Sequence, residues 1–295
     1  MRRITVLFIA ALLVGGTATL FAQAIQPPEL QDLRVPRISQ GARVEQMVGL
    51  SKVSIFYHRP GVKGRMIFGP KGSGALQPYG EVWRAGANEP TLFTFSDDVT
   101  IGGKRLRAGT YRFLAIPGPS EWTLIFNSEV RNWGTVYQPE YDTLKFTVKP
   151  LVGSHEEWMS FSFGDLTPTS ATITLAWDKV RIPFTVEFNL LSKLQASVGS
   201  SGVLHGAARY ALDHGIYLKE AHQWVDRSLA LDRNFFNLRT KAEFLAKEGK
   251  MAEAIATGDE ALKIIRARDI NSLPDFQQDM VRAFEKLHQQ WKGMK

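Results

Sequence analysis

The sequence predicts a two-part chain, a β domain followed by an α domain: an antiparallel β-sandwich or jelly-roll-like N-terminal domain, then C-terminal antiparallel helical hairpins. Three observations predict it. Apolar residues alternate with a period of two in short runs up to Phe188. Turn-forming Gly, Pro and Asp residues separate those runs, with no helical pattern between them. At Leu190 the period becomes helical, in a stretch rich in Ala, Leu, Glu, Lys and Arg.

Taken in order, residues 1–24 have the layout of a secretory signal peptide: basic Arg2-Arg3, an uncharged run from Ile4 to Phe21, and small residues in Ala22-Gln23-Ala24. Gly15, Gly16, Thr17 and Thr19 dilute the run and favour cleavage over a membrane anchor. The mature protein is therefore expected to be exported, periplasmic or extracellular, with no transmembrane span after cleavage. Residues 25–41 read as an N-terminal extended segment and 42–189 as the β domain. Its strands are read from Val53-Ile55-Tyr57, Trp122-Leu124-Phe126, Leu144-Phe146-Val148, Met159-Phe161-Phe163, Ile173-Leu175-Trp177 and Phe184-Val186-Phe188. Turns fall at Asp97-Asp98, Gly102-Gly103, Ala108-Gly109, Pro117-Gly118-Pro119, Asp165 to Pro168 and Asp178-Lys179, and His155-Glu156-Glu157 reads as a surface turn. Two Gly-rich loops, 60–74 and 78–90, interrupt the rhythm.

Residues 190–202 read as a short helix, with Leu190, Leu191, Leu194 and Val198 on one face, followed by the joint Gly199-Ser200-Ser201-Gly202. Helices are expected at 203–214, 217–231, 234–248, 251–268 and 275–291. Gly215 recurs as Gly249, Glu220-Ala221 as Glu253-Ala254, and Ser228-Leu229 as Ala261-Leu262. This spacing resembles the tetratricopeptide repeat, so residues 203–295 read as a TPR-like helical region. Gly258 departs from that pattern, standing where a bulky apolar residue is usual.

Composition removes whole classes of chemistry. There is no cysteine, so disulfides, thiolate metal sites and cysteine nucleophiles are excluded. Basic residues number 36 against 29 acidic, a net charge of +7, and loss of the leader's two arginines leaves +5. The charges are interspersed, which argues for mild attraction to anionic envelope surfaces and against a nucleic-acid groove. The six histidines make no metal-ligating pattern, and no nucleophile elbow, P-loop or dinucleotide fingerprint appears. No cofactor and no metal are expected.

Two motifs stand out: Tyr57-His58-Arg59-Pro60-Gly61-Val62-Lys63-Gly64-Arg65, and Leu76-Gln77-Pro78-Tyr79-Gly80-Glu81-Val82-Trp83-Arg84-Ala85-Gly86-Ala87-Asn88-Glu89. With Ala108-Gly109-Thr110-Tyr111, Ile116-Pro117-Gly118, Ile125-Phe126-Asn127 and Trp133-Gly134, they closely resemble the exported bacterial family catalogued as domain of unknown function 2911. The resemblance runs from about Ser39 to Phe188. It implies an architecture and a suspected site, but no reaction. His58 and Ala85 depart from the family pattern and take no role from it.

Arg59, Arg65, Arg84, Asn88 and Glu89 are the expected ligand-binding residues, because guanidinium forks beside an amide and a carboxylate suit an anion or a polyol. Tyr79, Trp83 and Trp133 would add flat faces for a sugar or aromatic ring. The competing reading has Arg59 and Arg84 pairing with Glu89 and loop carbonyls to hold the loops shut, with Trp83 simply in the core. The expected function is binding or interaction in the cell envelope, without catalysis. Its partner would be an envelope protein, a glycan or a small anionic ligand. The alternative is a hydrolase of an envelope glycan or peptide, with Glu89 as acid or base.

Overall fold

A computed structural model describes residues 36–131, 136–197 and 199–294. The leader, Trp133 and Val198 lie outside the described residues. Among those described, the β region comprises β1 (Gly41–Val48), β2 (Ser51–His58), β3 (Phe68–Gly69), β4 (Gln77–Pro78), β5 (Leu92–Phe95), β6 (Val99–Ile101), β7 (Lys104–Leu106), β8 (Gly109–Ile116), β9 (Trp122–Asn127), β10 (Asp142–Val148), β11 (Leu151–Gly164) and β12 (Ser170–Phe188). Six strands form one antiparallel sheet in the order β1-β2-β5-β8-β9-β10, four form a second in the order β11-β12-β6-β7, and β3 and β4 pair separately.

The two large sheets share one core, and period-two alternation explains why. Val53, Ile55 and Tyr57 of β2 point to the same side as Phe93, Phe113 and Phe126, where they meet Phe161 and Phe184 of the second sheet. Aromatic rings carry much of that contact, with centroids 4.7 Å apart for Phe93–Phe113, 5.5 Å for Phe93–Phe161 and 5.8 Å for Phe113–Phe184. The central strands of the first sheet also bury their other face, since Phe56, Leu92, Leu114 and Ile125 lie opposite the shared core and are all buried.

Two expected turns are absent. His155, Glu156 and Glu157 lie inside β11, and Asp178 and Lys179 lie inside β12, a single strand of 19 residues. The register between β11 and β12 shifts between Val152 and Glu156 and again between Glu156 and Ser160. Asp178 takes a left-handed φ of 50°, so the strand bends at bulges instead of turning back. His155 Nδ1 sits 2.8 Å from Asp178 Oδ1, and Arg181 Nη2 donates to the Ser154 carbonyl at 2.6 Å, tying the bend together.

The C-terminal part holds six α-helices among the described residues: α1 (Leu190–Ser197), α2 (Ser201–His214), α3 (Leu218–Leu231), α4 (Phe235–Lys247), α5 (Met251–Arg266) and α6 (Asp275–Gly293). None of them is long and apolar enough to cross a membrane. α2 packs along α3 and α4 along α5. The stretch read as a flexible joint instead begins α2. The Ser200 side chain caps the helix by accepting from Val203 N, and the Ser201 hydroxyl lies 3.0 Å from that of Ser228. Asn234 and Asn237 form a reciprocal capping box at the start of α4. Gly258 departs from the repeat pattern for a steric reason: a Cβ there would lie 2.5 Å from Cδ2 of the buried His288 on α6.

α1 fastens the helices to the sheets. Lys193 Nζ meets Asp97 Oδ2 at 2.6 Å and donates to the Leu50 carbonyl at 3.0 Å. The buried Leu190 reaches Gly49 in the β1–β2 turn, where an added Cβ would stand 3.1 Å from its Cδ1. Asp97 and Asp98, expected at a turn, are therefore also ties. Asp98 accepts from Ala108 N at 2.8 Å and pairs with Arg105.

Candidate functional site

The two motifs do different work. In the first, Arg59 Nε donates to the Met159 carbonyl at 2.8 Å, and Met159 N donates back to the Pro60 carbonyl at 3.0 Å. Gly61 runs so close to β11 that a Cβ would touch Glu157 Oε1 at 3.0 Å and the Trp158 ring at 3.2 Å. Lys63 turns the chain with a φ of 50° while its N–H reaches Glu157 Oε1 at 2.9 Å. Arg65 folds back on its own loop, donating to the Gly61 and Val62 carbonyls at 2.6 and 3.1 Å. Arg59 thus clips the loop to the second sheet, and Arg65 braces the loop on itself. They do not join Arg84.

The second motif passes through the core before it reaches the loop. Trp83 exchanges backbone hydrogen bonds with Ala115 at 2.7 and 2.8 Å. Its buried ring stacks on Trp177 with centroids 5.6 Å apart and meets Phe68 edge-on at 5.6 Å. The flat face expected for a ligand is thereby occupied by core. Tyr79 is half-buried, its N–H donating to the Gly69 carbonyl at 2.8 Å.

Between Arg84 and Thr91 each loop residue type has a local cause. Ala85 and Asn88 adopt left-handed φ of 50° and 55°, a conformation that asparagine tolerates better than most residues. Gly86 admits no side chain, because a Cβ would sit 2.8 Å from Thr91 Oγ1 and 3.2 Å from the His58 carbonyl. The buried Thr91 hydroxyl donates to the Ala85 carbonyl at 2.8 Å, and Asn88 Nδ2 donates to the Ser39 carbonyl at 2.8 Å. Glu89 anchors the loop: Oε1 accepts from Arg37 Nη2 at 2.7 Å, and Oε2 lies 3.2 Å from Nε2 of the buried His58.

Arg84 is different. Among the described residues it makes no hydrogen bond and no ion pair, although its Nε is buried. Burial pulls its guanidinium down from the ordinary value, and Glu89 partly offsets that. It is close enough to lower both His58 and Arg112. Arg112, a buried residue of β8, pairs across the sheet with Asn127 and donates through Nη1 to the Val136 carbonyl at 2.6 Å. Asn127 in turn donates to the Gln138 carbonyl and to Asp142 Oδ1, both at 2.9 Å. Asp142 Oδ2 also accepts from the Tyr137 hydroxyl at 2.6 Å and meets Lys145 Nζ at 3.0 Å.

The structure therefore gathers Arg84, Asn88 and Glu89, and adds Arg37, His58 and Arg112, which sequence reasoning missed. Alternation along β2 did carry a signal for His58, which follows Phe56 on the face away from the shared core. Nothing in the spacing tied it to Glu89. The competing reading fits Arg59, which bonds to carbonyls, but not Arg84, which makes no hydrogen bond or ion pair with Glu89 among the described residues; Arg37 takes Glu89 Oε1. Two cavities lie elsewhere, beside α1. One of about 640 Å³ is lined by Asp97, Asp98, Arg105, Glu187 and Lys193, and the other, of about 450 Å³, by Leu50, Leu190, Leu194, Val203 and Tyr210. In the first, Asp97 and Asp98 are already paired with the two cations. No group of His, Asp or Glu among the described residues could hold a metal ion.

Residues 39–186 match the family described as a protein of unknown function (DUF2911). No curated protein and no solved structure matches the chain.

Proposed function

The chain belongs to the DUF2911 family, and since the second motif of the matched stretch builds the loop around Arg84, we propose that it is an exported, non-catalytic binding or interaction protein of the cell envelope. Its binding site is the cluster around Arg84, and its ligand an anion or a polyol. The observation that supports this reading is Arg84 itself. Every other polar residue of the loop has a structural partner, whereas this guanidinium has a buried Nε and none. Holding an unpaired cation half out of water costs free energy, and a bound ligand would recover it. The hydrolase alternative lacks comparable support, because Glu89 already faces Arg37 and His58.

The same reading covers compartment and architecture. The Arg2-Arg3 start and Ala22-Gln23-Ala24 support export. The shared core of the two sheets supports a β-sandwich, and the packing of α2 on α3 and α4 on α5 supports TPR-like hairpins.

A thermal-shift screen of envelope glycans, sugars and small anions tests the function, since a ligand that binds only the native state raises its melting temperature. Arg84→Lys keeps the charge and removes the planar fork. It is expected to melt close to the wild type, because Arg84 bonds to nothing in the described chain, and to lose the shift produced by any hit. A hit retained in full by Arg84→Lys would place binding elsewhere, and a large fall in melting temperature would make Arg84 structural.

A further inference from the structure

Resting on the binding role just given, we infer that the group held at Arg84 is an oxyanion, a carboxylate or a phosphoryl group, and not a polyol. The donors and acceptors decide between them. A sugar hydroxyl brings a hydrogen as well as lone pairs and needs acceptors from the protein, whereas an oxyanion offers acceptors only.

Most acceptors at this site already take one hydrogen bond. Glu89 Oε1 is taken by Arg37, and Oε2 is buried beside His58. The carbonyls of Ser39, Ala85 and His58 accept from Asn88, Thr91 and Ala87. Asn127 Oδ1 accepts from Glu129 N, and the Val136 carbonyl accepts from Arg112. Both oxygens of Asp142 are taken, one by Asn127 and the other by Tyr137 and Lys145. Among the groups just named, three acceptors carry no hydrogen bond: Glu89 Oε2, buried beside His58; Asn88 Oδ1, a neutral amide oxygen; and His58 Nδ1, buried with its ring. Against them stands a guanidinium whose N–H groups are unused.

Charge points the same way. Arg37, Arg84 and Arg112 face Glu89 and Glu129, while Lys145 answers Asp142. Three cations against two anions leave one positive charge, and Arg84 is the cation without a partner. A neutral polyol could not balance it. A carboxylate or phosphoryl group matches both the charge and the two-pronged geometry of the fork.

The test follows the Nε–H resonance of Arg84 in the full-length, arginine-labelled protein, assigned by its loss in Arg84→Gln. Sodium phosphate, sodium succinate, glucose and sodium chloride are titrated separately at constant ionic strength. A saturable shift with phosphate or succinate is expected, with glucose and chloride moving nothing; in Arg84→Lys, which lacks the resonance, the rise in melting temperature given by the acting anion should be lost. Whichever of phosphate and succinate acts names the oxyanion. A saturable shift with glucose alone overturns the inference and leaves a polyol-binding protein. Equal movement by chloride reduces the effect to screening and overturns it. No movement with any of them removes both the inference and the binding role at Arg84.

Discussion

Single residues near Arg84 also set how the fold responds to acid. Burial lowers the imidazole of His58, Glu89 pulls it back, and Arg37 and Arg84 add to the lowering. The folded protein therefore favours neutral His58, while the unfolded chain takes up its proton near pH 6.5. This contribution to stability is fully present above about pH 6.5 and is lost as the pH falls through the depressed folded value. His205 on α2 is lowered too, by burial and then by Arg209 and Arg239, and acts in the same direction. Urea unfolding at about pH 7.5 and about pH 5.5 should show the wild type weaker in acid and the His58→Gln variant less so. An identical loss in both would remove His58 from the account. At this scale the sequence was legible where a residue's role is local. Arg84, Asn88 and Glu89 share one loop and were found together. Arg37 and Arg112 reach the cluster through sheet pairing and a loop tie, which no spacing in the chain encodes.

Elements were legible wherever one period ran unbroken. All five helices expected after the joint are present, with ends moved by no more than two residues. The long strand β12 was divided in two because Asp-Lys is strong turn chemistry, and only the bulged partner β11 shows that the chain bends there and continues. Two helical glycines give opposite predictions for the same change. At Gly206 in α2 nothing lies within 4 Å of an added Cβ, so Gly206→Ala should stabilise by about 0.5–1 kcal/mol through helix propensity alone. At Gly258 in α5 the Cβ would strike the buried His288, whose Nε2 lies 3.0 Å from the Ile255 carbonyl. Overpacking of about 1–3 kcal/mol there should outweigh the propensity gain, leaving Gly258→Ala less stable. Denaturant midpoints of the two variants measure both, and a stabilised Gly258→Ala would mean that α6 yields to the methyl group.

For the whole molecule, α1 decides how the two parts hold together. The Lys193–Asp97 pair and the Leu190 contact with Gly49 secure the junction, and Ser200 and Ser201 bind the start of α2 into hydrogen bonds. The exposed tip from Pro70 to Gly74 has little to hold it, with Gly72 and Gly74 at φ of 84° and 83° and open space around both. Brief digestion of the native protein with a broad-specificity protease should therefore cut first between Pro70 and Gly74. An earlier cut between Gly199 and Gly202 would show that the junction opens more readily than its contacts allow. The boundary of the family match bears on how portable the β region is. The match ends at residue 186, but β12 runs to Phe188, where Val186 and Phe188 pair with Ile101 and Val99, and α1 begins after Asn189 alone. A fragment excised at the limit of shared ancestry would leave β6 with a torn edge and the β1–β2 turn without its apolar lid. The smallest unit that can be transplanted whole extends past the inherited one and takes α1 with it.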